Sequence, residues 1–90
     1  MMDLKDCRDR IDGIDDRLEA LFKERMEVVS EVAEYKKEHG LPVRDPSREK
    51  QILAARTENA GELEPYVRRF FKQIMKLSGE YQEERIADKE

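Results

Sequence analysis

The sequence predicts an all-α fold of three helices, one long, one short and one medium. Apolar residues step by three and four along most of the chain, and no stretch alternates as a half-buried strand would. Prolines fall only at the expected joints between helices, at positions 42, 46 and 65.

The first helix is read from Leu4, Cys7, Ile11, Ile14, Leu18 and Leu21, followed by Val28, Val32 and Tyr35, which form a heptad seam. Phe22 and Val29 add a second line that widens the stripe. At about 1.5 Å per residue, a helix over 4–38 runs roughly 50 Å, too long to hide its apolar face in so short a chain. A partner helix from another chain is expected. Gly40 tolerates the left-handed conformation and ends the helix. In the second helix Asp45 is the N-cap and Pro46 the first helical residue. Ile52 and Leu53 supply its apolar face, and Asn59 with Gly61 ends it. The third starts near Pro65 and carries Tyr66, Val67, Phe70, Phe71, Ile74, Leu77 and Tyr81 at helical spacing.

Ninety residues form one small domain, spanning 1–90, of a size that seldom stabilises a core alone. The chain is 44% charged with a net charge of -4, which argues against general nucleic-acid binding, where a basic face is needed. With 38% hydrophobic residues and no tryptophan, oligomerisation is the expected remedy for a thin core. One cysteine leaves no intramolecular disulfide, and Cys7 reads as a small core residue on the seam. His39 has no Cys or His at ligand spacing and reads as exposed, which argues against a metal site. The stretch MMDLKDCRDRIDGIDDR has no apolar run for a leader or a membrane span, so a reducing cytoplasm is the expected compartment. No nucleophile–base pair and no glycine-rich phosphate loop stands out, so any catalysis is expected to proceed without a covalent intermediate or cofactor.

Several residues resist a purely structural reading. The seam calls for an apolar side chain at position 25 and has Arg25. A buried guanidinium must snorkel, pair with an acid or meet an anion, and a polar seam residue can also set register. Lys36 lies about three turns further on, roughly 16 Å along the same face. A lone lysine there would simply complement the helix dipole, but beside Arg25 it begins to outline an anion site. Ser78 and Gln82 stand at i and i+4 on the third helix, as a solvated edge or as a pair that reaches a ligand. Arg48 and Glu49 are similarly placed on the second. Each of the three helices thus offers polar groups beside its apolar face.

The run RDRIDGIDDRL from Arg8 to Leu18, then Arg25, Lys36, PVRDPSREK from Pro42 to Lys50, and the late Ser78 with Gln82 resemble the all-helical chorismate mutases. The resemblance covers roughly residues 4–85. It implies an intertwined homodimer of three-helix chains with two equivalent sites, and the Claisen rearrangement of chorismate to prephenate on the way to phenylalanine and tyrosine. It also implies that Arg25, Lys36 and Arg48 serve one site and that Arg8 serves it from the partner chain. Helix geometry favours the same division, because Arg8 stands about 42 Å from Lys36 along one helix. In the implied site Lys36 and Gln82 donate to the ether oxygen of the breaking bond. Glu49 and the backbone near Asp45 accept from the ring hydroxyl, Ser78 helps hold a carboxylate, and no metal or cofactor takes part. Arg44 and Lys50 are expected to face solvent or to pair with nearby acids.

Two departures stand out. Gly79 replaces the larger aliphatic residue that relatives often carry after Ser78, which suggests a looser pocket wall. Gly13 sits inside the first helix at a cost of about 1 kcal/mol against alanine, and is expected to permit close helix packing. A lyase of the same fold that removes pyruvate from isochorismate is the nearest enzymatic alternative, and Glu49 argues against it. A helical dimerisation or adaptor module explains the seam, but not Arg25 or the Ser78–Gln82 pair.

Overall fold

A computed structural model describes residues 3–88. Within them the order is α1 (Leu4–His39), α2 (Pro46–Thr57), a single 3-10 turn (Gly61–Leu63) and α3 (Glu64–Asp88), with no strand among the described residues. Each joint follows from a local rule. Asp3 caps α1 by accepting from the Asp6 N–H at 2.9 Å. Gly40, at φ 64°, turns the chain left-handed, and the Leu41 N–H returns to the Lys36 carbonyl at 2.8 Å. Asp45 accepts from the Arg48 N–H at 3.1 Å with Pro46 in the first turn of α2. The second helix stops at Thr57, before Asn59, and the Thr57 hydroxyl donates to the Leu53 carbonyl at 2.7 Å. Gly61, at φ 59°, then opens the 3-10 turn that leads into α3 one residue before Pro65.

α3 packs against both α1 and α2. The core is thin: Ala33 and Met75 are the buried hydrophobic residues. Around them the half-buried Phe22, Met26 and Val29 complete the face that α1 turns to α3. This is the second line of the sequence pattern, not the heptad seam. The seam stays open: Leu4, Ile11, Ile14, Leu18, Leu21, Val28, Val32 and Tyr35 are all exposed within the chain. Cys7 is exposed too, contrary to its reading as a core residue, because residues 3–21 have no buried position. Nothing lies within 4 Å of a Cβ placed on Gly13, so no close packing within the chain explains that glycine.

The shape reflects this one-sided burial. The radius of gyration is 16.5 Å, whereas a compact chain of this length has about 12 Å. Its accessible surface is 7365 Å², against about 5,500 Å² for a compact monomer of its mass. No helix among the described residues is long and apolar enough to cross a membrane. His39 is exposed, as expected, and stacks on Tyr35 with ring centroids 4.0 Å apart.

Candidate active site

The C-terminal half of α1, the start of α2 and the later turns of α3 enclose a cleft of about 570 Å³. Its apolar floor comes from the seam itself, through Leu21, Val28 and Val32. Seven of the eight side chains expected from the sequence border it: Arg25, Lys36, Asp45, Arg48, Glu49, Ser78 and Gln82. Arg8 does not. It sits exposed near the far end of α1, about 42 Å along the helix from Lys36.

Ser78 and Gln82 are 6% and 7% exposed, so a chain with little core has sealed two polar side chains in it. Burial of such groups costs free energy unless they are hydrogen-bonded, and both are. Ser78 Oγ donates to the Ile74 carbonyl at 2.8 Å and accepts from Arg25 Nη1 at 2.6 Å. Gln82 Oε1 accepts from Lys36 Nζ at 2.9 Å, which orients the amide so that its Nε2 is the donating end. Lys36 Nζ also donates to the Val43 carbonyl at 2.6 Å, a contact made possible by the left-handed turn at Gly40. An ammonium has three hydrogens, so one remains for a ligand.

Arg25, Lys36 and Arg48 meet neutral partners, and among the described residues none of the three enters an ion pair. Arg48 Nη1 reaches Gln51 Oε1 at 3.4 Å, a weak bond that leaves most of the guanidinium unengaged. Burial first, and the nearby Arg48 charge second, push the pKa of Arg25 below the usual arginine range. Arginine stays charged regardless, so the pair holds repulsion that an anion between them would relieve. The question left open at Arg25 in the sequence therefore narrows. It neither snorkels free nor pairs with an acid, but is held by Ser78 at the cleft wall.

Glu49 and Arg44 form a two-pronged ion pair, Nε to Oε2 at 2.9 Å and Nη2 to Oε1 at 3.1 Å. Arg44 thus pairs with an acid, as expected, but it also borders the cleft. Its side chain fills the space beside Gly79, where a Cβ would stand 3.3 Å from Arg44 Cδ. The looser wall expected at Gly79 is instead occupied. Two features of the cleft escaped the sequence reading. The Val43 carbonyl has no residue-type signature, and the Arg44–Gly79 contact joins segments far apart in sequence. A glycine inside an otherwise good helix is the one hint the sequence offered.

The family model for chorismate mutase type II matches residues 7–83. The T-protein of Haemophilus influenzae is 43% identical over 77 residues, covering 78% of this chain and 20% of that protein. The T-protein of Enterobacter agglomerans is 43% identical over 58 residues, 64% of this chain and 16% of its own length. The chorismate mutase of Methanocaldococcus jannaschii is 43% identical over 49 residues, 54% of this chain and 50% of the relative. The chain therefore spans from about a sixth to half of these relatives' lengths. No solved structure gives a significant match. With a family model that matches all but the two ends of the chain, across the three helices and the cleft they form, the chain belongs to the chorismate mutase type II family.

Proposed function

We propose that residues 1–90 act as one chorismate mutase domain, which rearranges chorismate to prephenate in the cytoplasm for phenylalanine and tyrosine synthesis. The observation that carries this reading is the convergence of three cations with neutral partners and one buried amide on a single apolar-floored cleft. Chorismate brings two carboxylates, an ether oxygen and a ring hydroxyl, and the polar groups of the cleft suit each of them.

Arg25 and Arg48, with Arg8 of a second copy, bind the two carboxylates through charge-assisted hydrogen bonds. Fixing both ends selects the folded conformer in which the bond-forming carbons approach one another. One carbon–carbon bond forms as the ether C–O bond breaks, and no proton is transferred. Negative charge grows on the ether oxygen meanwhile. The remaining Lys36 hydrogen and the Gln82 Nε2 amide donate to it, stabilising the transition state more than the ground state. Glu49 and the backbone beside Asp45 accept from the ring hydroxyl. Ser78 steadies Arg25, and its own hydrogen reaches a carboxylate only by rotating away from Ile74. The chemistry requires no metal and no cofactor.

The exposed seam supports the homodimer. An antiparallel second α1 would cover the apolar residues left open and carry its own Arg8 to the mouth of the cleft. The direct test is incubation of the purified chain with chorismate, following loss of substrate and appearance of prephenate. Turnover to prephenate is expected. No turnover of chorismate, and none of isochorismate, would leave the helical adaptor as the better reading.

A further inference from the structure

Glu49 can accept from a ligand hydroxyl only if its carboxylate is held still, and the residue that holds it is Arg44. The two-pronged bond between them joins the loop before α2 to the first turn of that helix. Arg44 in turn depends on α3. Its Cδ and Nη1 lie 3.3 and 3.4 Å from where a Cβ on Gly79 would stand, and Gly79 is buried between Ser78 and the turn that carries Gln82. Glu83, further along α3, adds a weaker attraction on the same guanidinium beyond that of Glu49. Arg44 therefore bridges α2 and α3 across a gap that exists because position 79 has no side chain.

We propose that Arg44, seated against Gly79, is a positioning residue that fixes the Glu49 carboxylate at the cleft wall, so that positions 44, 49 and 79 act as one unit in substrate binding. This rests on the reading of the cleft as a chorismate site. A hydroxyl that stays neutral throughout the rearrangement is held equally in the ground and transition states. Loss of its orientation should therefore raise KM and spare kcat.

The test combines steady-state kinetics on chorismate with structures of the variants. Arg44→Ala should raise KM about tenfold with kcat changed less than about threefold, and Arg44→Lys should recover part of the loss. In a Glu49→Gln background, Arg44→Ala should cost little more, since the arginine acts through that carboxylate. Gly79→Val should mimic Arg44→Ala and add nothing when combined with it. Gly79→Ala, a milder intrusion, should raise KM slightly while thermal stability holds or rises, alanine being the better helix former. In the crystal structure of Gly79→Val the Arg44 guanidinium should leave Glu49. Additive losses, a fall in kcat at unchanged KM, or an intact Arg44–Glu49 pair in Gly79→Val would each overturn the proposal. A wild-type chain with no turnover would defeat the chorismate reading instead, and the Gly79→Val structure would still decide whether Gly79 seats Arg44.

Discussion

Between Leu21 and Lys36 the seam of α1 floors the cleft, Arg25 interrupts it, and both Arg25 and Lys36 hydrogen-bond across to α3. Between Leu4 and Leu18 the same spacing of apolar side chains is equally exposed but lines no part of the cleft. One periodic pattern thus serves two purposes within a single helix. The half that carries Arg25 and Lys36 gives these two cations polar partners in their own chain. The half that carries Ile11, Ile14 and Leu18 has the composition of a buried face without a cover. Periodicity announces that a face is to be buried, but not which surface will bury it.

The largest expected effect lies on the bare half. If that half were a true surface, Ile14→Glu would change stability by no more than about 0.5 kcal/mol. If a second copy covers it, two carboxylates enter one apolar interface, each at about 3 kcal/mol or more. Sedimentation should then show the variant as a monomer or unfolded, with chorismate turnover lost. An active, dimeric Ile14→Glu protein would erase the proposed difference between the two halves.

The next effect lies on the cleft half. Lys36→Ala removes a donor to the developing charge and should lower kcat by about 10²–10³-fold, with the dimer intact by sedimentation. Near-normal turnover would remove Lys36 from the chemistry. The smallest effect is one of pH. Gln82 donates at any pH, so wild-type activity should stay nearly flat from pH 6 to 8. A glutamate at position 82 must be protonated to donate, and the Lys36 charge beside it favours the carboxylate. Gln82→Glu should therefore be weak at neutral pH and gain activity as pH falls. An unchanged profile would contradict the amide's role.

Much of the scaffold could be read from the sequence because it obeys local rules. The Gly40 stop, the Asp45 cap and Pro46 act within one helical turn, and each appears where expected. Of the residues now gathered at the cleft, Arg25 stood out as a polar interruption of the seam. The others stood out as polar groups beside apolar faces or, for Asp45, as a helix cap. Their order along the chain carried the family resemblance. What stayed hidden depends on tertiary contact. Phe22 and Val29 on the face that α1 presents to α3 were legible, but Met26 and Ala33 on the same face are too small or too adaptable to outweigh the branched side chains of the seam. The roles of Val43 and Gly79 follow from how the loop after Gly40 folds back over α3, which no periodicity encodes. Helix α2 ends at Thr57, two residues before Asn59, where the chain turns and the Ala60 N–H bonds to the Thr57 carbonyl at 3.2 Å.

The central claim is that each site takes Lys36 from one copy and Arg8 from the other. Subunit mixing tests it most directly. Arg8→Ala and Lys36→Ala proteins, each nearly inactive alone, are unfolded together in equal amounts and refolded. Random pairing makes half the dimers mixed, and each mixed dimer has one site with both residues intact, so turnover should recover to about a quarter of wild type. A mixture no more active than its two components would contradict a site shared between chains.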